Sequence, residues 1–265
     1  MLIDDGCPNL AEISLVDCCD IIDVSIKELA SYCCQLTFIS IDGCCSITDG
    51  EIKAFAGVCC IVGDAPRMNC LPCCRGFANT GISSPSYGCP LLRSIDPRGC
   101  QNITDVGISA LGEGCPLRSN IESYDCEEIT EIGISALGGS CHLLSSIDLS
   151  CCSKSTDIGT LALGGSCPLL TKINLSECRN ITDIGIPAFG GSCHLLSTIC
   201  LSNCHQITCM GISALLEGCP SPSKIYFYGC RNISIGCLSV LRIDHPQSEF
   251  YSSTQNIYVS IRFSL

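Results

Sequence analysis

The chain has 265 residues, of which 46% are hydrophobic and 15% are charged, and its net charge is −12 at pH 7. Its 14 lysines and arginines form no cluster, so a nucleic-acid partner, which would need a basic face, is not expected. No stretch reaches the roughly 18 apolar residues of a membrane span, and the N-terminus has neither a basic leader nor a secretory apolar run, so neither a membrane location nor secretion is expected.

Cysteine marks a repeat of 26 residues along most of the chain, and a second cysteine follows the first by eleven residues in every unit. The first cysteines are Cys7, Cys33, Cys59, Cys89, Cys115, Cys141, Cys167, Cys193 and Cys219. The second cysteines are Cys18, Cys44, Cys70, Cys100, Cys126, Cys152, Cys178, Cys204 and Cys230. A period of this length predicts a solenoid of about nine stacked units, which has no single closed core.

Within one unit the apolar spacing changes from that of a strand to that of a helix. In the unit from Cys167, Ile173 and Leu175 are two residues apart, whereas Ile186 and Phe189 follow helical spacing. This change predicts a short strand, a turn and a helix in each unit. The strands of stacked units would form one parallel sheet, with the helices on the other side.

The predicted helices have recurring start and stop signals. Pairs such as Thr104-Asp105 and Thr182-Asp183 combine a capping hydroxyl with an acid that favours the positive end of a helix. Glycines recur near the end of each helix, and we expect them to stop it in the left-handed conformation. These glycines are Gly112, Gly138, Gly164 and Gly190.

Two units and the C-terminal tail depart from the pattern. The unit at 59–88 is four residues longer than the others, and we expect the insertion between Cys70 and Gly81 and a weak seam in the stack. In the sixth unit Ser155 replaces a recurrent isoleucine. The solenoid is expected over 1–241, followed at 242–265 by a degenerate repeat or capping tail, in which the alternating run from Ile257 to Ile261 predicts an edge strand.

The pattern Cys-Pro-x-Leu-x-x-Ile-x-Leu-x-x-Cys-x-x-Ile-Thr-Asp-x-Gly-Ile-x-x-Leu resembles the cysteine-containing class of leucine-rich repeats. This class occurs in the recognition solenoids of F-box ubiquitin-ligase receptors and in Amn-type proteins, and the resemblance covers about residues 3 to 241. It implies a right-handed α/β horseshoe, with a parallel β-sheet on the concave face and short helices on the convex face. It also implies that the concave face binds another protein.

In F-box members a separate N-terminal segment binds a Skp adaptor, which joins the receptor to a cullin. Only six residues precede Cys7, so no F-box is expected within this chain. Contact with a Skp adaptor and a cullin would therefore require a segment that this sequence does not contain. The alternative is an interaction scaffold or inhibitor that works without a ligase.

The cysteines and histidines suggest two chemical alternatives, and a structural role is favoured over both. Cys70 and Cys73 form a CxxC step, but zinc needs a second pair at suitable spacing, and the sequence offers none. Cys141-His142 and two similar neighbours are adjacent only in sequence, whereas a general base must reach a sulfur through space. We therefore expect no metal, no cofactor and no catalytic residue, and free thiols in a reducing cytoplasm or nucleus.

The candidate binding residues are those expected to point outward from the strands of the concave face. Acids predominate early in this set, and lysines and tyrosines predominate late. The set comprises Asp96, Arg98, Glu122, Tyr124, Asp148, Lys172, Asn174, Lys224, Tyr226 and Tyr228. The tyrosines are favoured as hot spots, and a basic segment along Asp96, Glu122 and Asp148 is the hypothesis for the partner.

Overall fold

The fold is seen in a computed structural model of the chain. It describes residues 7, 9–10, 12–15, 18, 20–21, 38–40, 46, 67–69, 78–80, 83, 94–95, 99–114, 117–219, 222–254 and 257–259. Another copy of the Thr-Asp helix-start pair, Thr48-Asp49, and the CxxC step from Cys70 to Cys73 lie outside these residues.

Within the described residues, eleven short strands form one sheet in which the strands follow each other in chain order. The strands are β1 (Glu12–Ser14), β2 (Phe38–Ser40), β3 (Arg67–Asn69), β4 (Ser94–Ile95), β5 (Asn120–Glu122), β6 (Ser146–Asp148), β7 (Lys172–Asn174), β8 (Thr198–Cys200), β9 (Lys224–Tyr226), β10 (Glu249–Thr254) and β11 (Ile257–Val259). All neighbours from β1 to β10 are parallel, and β11 closes the edge antiparallel to β10, where an edge strand is predicted. The α/β solenoid predicted from the repeat is therefore confirmed.

The central residue of each strand is in register with its counterparts, which explains the repeated isoleucine. Ile121, Ile147, Ile173, Ile199 and Ile225 pair with one another along the sheet and are essentially fully buried. Burial of each such side chain contributes about 1.5–3 kcal/mol relative to exposure. A single unit could not bury this row, so the stacking itself creates the core.

The extra residues of the long unit are not where the sequence analysis predicts them. Met68 pairs with Ile39 on one side and with Ile95 on the other, which are steps of 29 and 27 residues. Three of the four additional residues therefore precede β3 and one follows it, so the prediction of an insertion after Cys70 is wrong. The uncorrected period would have put Ala65 and Pro66 in the strand, and proline cannot donate a hydrogen bond to a neighbouring strand.

Six helices are defined in the described part of the chain. They are α1 (Asp105–Gly114), α2 (Glu131–Ser140), α3 (Asp157–Ser166), α4 (Ala188–Ser192), α5 (Cys209–Gly218) and α6 (Ile235–Asp244). Helices α2 to α5 end at the first cysteine of the following unit, whose backbone N–H donates to the carbonyl four residues earlier. The first cysteine thus marks the end of a helix.

The recurring glycines do not stop the helices, and that prediction is wrong. Among the described glycines, only Gly99 and Gly229 have positive φ angles. Gly138 and Gly164 lie inside helices, where they allow close contact with the next helix. A Cβ at Gly138 would lie 2.9 Å from the Ala162 carbonyl oxygen, and one at Gly164 would lie 2.7 Å from the Ala188 carbonyl carbon. The glycines are therefore needed for helix packing.

The predicted acid at each helix start caps the helix of the following unit. The Asp105 carboxylate accepts hydrogen bonds from the backbone N–H of Thr130 at 2.8 Å, from its hydroxyl at 2.6 Å and from the Gly133 N–H at 3.0 Å. Asp157 and Thr182 form the same pair of contacts, at 2.8 and 2.7 Å. The Thr130 hydroxyl is also the predicted cap of its own helix and accepts from the Ile132 N–H at 3.2 Å. The helix start predicted at Thr182-Asp183 is wrong, because turns follow this pair and α4 begins at Ala188.

This capping ladder is interrupted twice. Glu131 replaces aspartate before α3, and the Thr156 hydroxyl is buried there without a hydrogen-bond partner and makes no cap contact. Between α5 and α6, Cys209 stands where earlier units have the capping aspartate, and Cys237 stands where they have the glycine that this aspartate contacts. Cys209 and Cys237 form a disulfide with a Cα–Cα distance of 6.1 Å. This disulfide lies outside the two cysteine ladders, whose described members remain free thiols.

The strand-to-helix turn contains a row of left-handed residues that the sequence analysis did not predict. Positive φ angles recur every 26 residues, one position before the second cysteine of the unit. The residues are Gly99, Asp125, Cys151, Glu177, Asn203 and Gly229.

Ser155, in the turn of the sixth unit, is fully buried, and its hydroxyl has no partner, consistent with its departure from the pattern.

Candidate protein-binding face

The short strands present two rows of side chains on the inner face of the solenoid. Because the central residue of each three-residue strand is buried, the residues before and after it point the other way. From β5 to β10, row one contains Asn120, Ser146, Lys172, Thr198, Lys224 and Glu249. Over the same strands, row two contains Glu122, Asp148, Asn174, Cys200, Tyr226 and Tyr251. Row two therefore changes from acidic to neutral to aromatic between β5 and β10.

The acidic end of row two contains two of the predicted site residues side by side. Glu122 and Asp148 are direct neighbours in the pairing of β5 with β6, and both are partly exposed. Glu122 accepts a hydrogen bond from the Asn120 amide at 3.3 Å. Asp96 and Arg98, which the sequence analysis assigns to the same face, lie outside the described residues.

Asp148 and Asn174 have a structural role in addition to their position on the face. Asp148 accepts hydrogen bonds from the Ser150 N–H at 2.8 Å and from the Asn174 amide at 2.9 Å. Asn174 in turn accepts from the Ser176 N–H at 3.1 Å and from its hydroxyl at 2.7 Å. These bonds close the end of each strand and connect it to the next unit. Both side chains are therefore fixed in place and offer a partner a rigid polar surface.

The two lysines of the predicted set lie in row one, apart from the acids. Lys172 is exposed and Lys224 is partly exposed, with Thr198 between them. Cys200 lies near Lys172 in row two, and burial raises the pKa of its thiol, which the charge of Lys172 partly offsets. The face thus contains a basic and an acidic portion, which together favour a partner with complementary charges of both signs.

An aromatic cluster occupies the C-terminal end of the face. The Tyr226 and Tyr251 rings stack with centroids 4.4 Å apart at an interplanar angle of 14°. Tyr228 lies 6.2 Å from Tyr226 between centroids. Burial in this cluster raises the pKa of Tyr226 above its usual value, so its hydroxyl remains neutral and can donate a hydrogen bond. Partly exposed tyrosines of this kind are enriched at binding hot spots.

The sequence analysis did not include Tyr251 and Glu249 in this face. Glu249 pairs with Lys224 and Tyr251 pairs with Tyr226, and the Tyr251 hydroxyl donates to the Glu249 carboxylate. The step from β9 to β10 is 25 residues instead of 26, and no cysteine marks it. Lys224-Ile225-Tyr226 and Glu249-Phe250-Tyr251 share the order charged residue, apolar residue, tyrosine, and this is the sequence signal that could have identified β10 as part of the face.

Tyr124 stands at the opposite end of the face, just beyond β5, and 43% of its surface is exposed. The Cys151 thiol in the next turn interacts with it and raises the pKa of the phenol, with Asp125 adding to this shift. The described face therefore has a tyrosine at the acidic end and three at the other. Of the predicted set, the structure groups Glu122, Tyr124 and Asp148 at one end and Lys224, Tyr226 and Tyr228 at the other, with Lys172 and Asn174 between them.

The periodic cysteines donate weak hydrogen bonds inside the core. The Cys178 and Cys204 thiols contact the carbonyl oxygens of Leu149 and Leu175 at 3.1 and 3.0 Å, each 29 residues earlier. Burial raises the pKa of Cys204 to about 12 and that of Cys193 to about 11. These thiols are therefore neutral at physiological pH and poor nucleophiles.

Within the described residues, no group of three or more histidine, cysteine, aspartate or glutamate side chains is arranged to hold a metal ion. His142 contacts the Ser166 carbonyl oxygen at 3.1 Å through its Nδ1 atom, while the adjacent Cys141 is fully buried. None of the described helices is long and apolar enough to span a membrane.

Comparison with known proteins shows the fold but no close relative. No protein-family model matches the sequence, and no curated protein sequence matches it. The structure is similar to that of the Rad7 and Elc1 complex from yeast, with a TM-score of 0.54, 14% identity, and coverage of 94% of this chain and 79% of the other. It is also similar to the leucine-rich repeat-containing protein LegL7 from Legionella pneumophila, with a TM-score of 0.54, 8% identity, and coverage of 96% and 86%.

These likenesses and the sheet topology define the class of fold. The chain is an α/β solenoid of the leucine-rich-repeat type, in agreement with the prediction from its repeats. The two similar proteins are a repeat protein and a component of a protein complex.

Proposed function

We propose that this chain is a protein-recognition solenoid whose concave face binds a protein partner. The observation that carries the proposal is the order of side chains in row two. The core uses only the central residue of each strand, yet between β5 and β10 row two changes from two acids to stacked tyrosines. Asp148 and Asn174 also connect neighbouring units, but Glu122 and the tyrosines are not needed for those bonds, and recognition of an extended segment would use them.

The partner segment is proposed to have basic residues at one end and apolar residues at the other. Basic residues would lie along Glu122 and Asp148, with Asp96 as a further acidic contact, and Arg98 would contact an acidic or polar group of the partner. The other end would pack on Tyr226, Tyr228 and the added Tyr251. Aromatic side chains at such positions contribute most of the binding energy in many interfaces, whereas partly exposed charges act mainly on selectivity and association rate.

The cellular role that we favour is substrate recognition for a ubiquitin ligase of the SCF type. It is supported by the resemblance of the repeats to those of F-box receptors and by the likeness to Rad7, which was crystallised with Elc1. A Skp adaptor and a cullin would bind through a segment outside this sequence. The alternative is a scaffold or inhibitor that functions without a ligase. The free thiols of the cysteine ladders favour the cytoplasm or nucleus.

The experiment is affinity purification of the chain from cells under reducing conditions, with two matched charge reversals. Glu122→Lys changes the concave face, whereas Glu128→Lys makes the same change in an exposed turn of the same unit, where Glu128 pairs only with Lys154 at 2.7 Å. We expect at least tenfold lower recovery of partner proteins with Glu122→Lys and unchanged recovery with Glu128→Lys.

Recovery of a Skp-type adaptor and a cullin would support the ligase role, and their absence would favour the scaffold. If Glu122→Lys and a second variant, Tyr228→Ala, both recover the same proteins as the unmodified chain, the concave face is not the recognition surface.

A further inference from the structure

The outward face of three consecutive helices is unusually apolar. In α2, α3 and α4, with the turn before α4 and the loops that follow the three helices, the solvent-facing positions recur at a spacing of about one helical turn. They begin with an isoleucine, pass over small residues and a glycine, and end with a leucine. The large side chains are Ile132, Ile158, Ile184, Leu143, Leu169 and Leu195, of which the isoleucines are 61–70% exposed and the leucines 40–55% exposed.

Charged residues mark the two ends of this face. The glycine positions of the middle units are Gly139, Gly165 and Gly191, and a Cβ built on any of them would touch nothing within 4 Å. The corresponding position is Glu113 in α1 and Glu217 in α5, and both glutamates are exposed. The equivalents of the large side chains in the flanking units, Val106, Leu117 and Met210, are also exposed and apolar, so the three middle units are distinguished by their open glycine row, which ends at an acid on either side.

A large exposed apolar patch normally marks an interaction surface. The inner sides of α2, α3 and α4 already pack on the core, so their outer sides need a second cover. The six side chains and the exposed Leu161 between them present on the order of 700 Å² of apolar surface, close to the roughly 800 Å² that each partner contributes to a standard interface.

We infer that this face binds the same face of a second copy of the chain. Two rows of large side chains flank a row of open glycines, so a row from one copy fits into the glycine furrow of the other. The spacing between units is necessarily the same in both copies, which a partner of another kind would have to reproduce by chance. Such a contact uses the same patch on both copies and is closed by a two-fold axis.

The limits of the patch agree with this geometry. Strands lie about 4.8 Å apart and packed helices about 8–10 Å apart, so the helical side of the solenoid is convex. Two convex faces touch over a few units and diverge at both ends, where Glu113 and Glu217 would otherwise face their own copies. The concave face remains free.

The test is analytical ultracentrifugation of the full chain with reductant present, so that disulfides through the exposed Cys7 do not contribute. We expect a reversible dimer with a dissociation constant of about a micromolar or tighter. Gly165→Lys places a charge in the furrow at an open helical position, where lysine is a good helix former and favours the helix C-terminus. It should weaken the dimer at least tenfold.

Ser153→Lys adds the same charge at an exposed turn position and should leave the dimer unchanged. Circular dichroism confirms that each variant is folded, and Leu169→Lys serves as a second variant if Gly165→Lys does not fold. A chain that stays monomeric at about 100-fold above the expected constant overturns the inference. So does a dimer that Gly165→Lys and Leu169→Lys leave intact, or a monomer that binds lipid vesicles through this face.

Discussion

At the scale of single residues, the left-handed turn position shows how the repeat tolerates strain. Asp125 and Asn203 belong to the residue types that adopt this conformation most readily, whereas Cys151 and Glu177 do not, with φ angles of 62° and 63°. The first and last residues of this row, Gly99 and Gly229, are glycines. A parallel stack requires the same turn geometry in every unit, so the two unfavourable residues are held there by their neighbours.

Replacement of Cys151 by glycine should therefore stabilise the protein. Cys151→Gly and Cys151→Ala both remove the thiol and its contact with Tyr124, but only glycine relieves the positive φ angle. We expect Cys151→Gly to exceed Cys151→Ala by about 1 kcal/mol in the free energy of unfolding, measured by urea denaturation. Equal stability of the two variants would show that the turn is not strained at this position.

The buried thiols predict a loss of stability at alkaline pH. Burial raises the pKa of Cys204 from 9.0 to about 12, and the unfolded chain retains the lower value. The contribution of the neutral thiol is therefore complete below pH 9 and is lost as the pH rises towards the folded value. We expect the urea midpoint to fall as the pH rises from about 9 towards about 12, and to fall less in Cys204→Ala. An identical decrease in both proteins would contradict this assignment.

At the scale of helices and strands, adjacent glycines in one helix have opposite roles. A Cβ at Gly164 would lie 2.7 Å from the Ala188 backbone, whereas one at Gly165 would lie in open space. Gly164→Ala should destabilise the protein by about 1–3 kcal/mol through overpacking. Gly165→Ala should stabilise it by up to about 1 kcal/mol, because alanine favours helix. Thermal unfolding of the pair checks both signs, and a stabilised Gly164→Ala would show that the α3–α4 contact is looser than described.

The interrupted capping ladder provides a second test between neighbouring helices. Glu131→Asp restores the residue that caps the next helix in other units, and it offers a partner to the buried Thr156 hydroxyl. We expect a gain of about 0.5–1 kcal/mol in the free energy of unfolding. The reverse change, Asp157→Glu, should cost a similar amount because it removes the contacts to Thr182. An unchanged denaturation midpoint in Glu131→Asp would mean that the new carboxylate forms no stabilising hydrogen bond with the Thr156 hydroxyl.

The sequence predicts the strands and helices well because their signals repeat in every unit. One isoleucine per strand locates β4 to β9, and a threonine followed by an acid locates the starts of α1, α2 and α3. The recurring glycine was interpreted wrongly because glycine serves both helix ends and close helix contacts, and sequence alone does not distinguish them. The strand at Arg67–Asn69 was misplaced because cysteine spacing alone does not locate inserted residues.

The position of the candidate site could be predicted from the sequence, but some of its residues could not. The alternation of side chains along a strand is enough to place Glu122, Asp148 and Tyr226 on one face. It does not show that Asp148 is bonded to the next unit, and it does not extend to Tyr251, where the cysteine signal has ended. Contacts between units depend on register, which becomes certain only when the strands are paired.

At the scale of the whole molecule, the solenoid has two faces with different chemistry. The concave sheet presents fixed polar groups and tyrosines, whereas the convex side presents neutral, apolar helices over three units. Because each unit contacts only its neighbours, substitutions on one face should leave the other unaffected. Partner recognition and self-association are therefore separable by mutation.

The central claim is that a protein partner binds the concave face, and site-specific photo-crosslinking in cells tests it most directly. A crosslinking residue would replace Lys172 or Thr198 on the concave face, or the exposed Ser153 in a turn as the control. We predict that both concave positions capture the same protein, identified by mass spectrometry, and that the control position does not. Capture of that protein from Ser153 but from neither concave position would contradict the account.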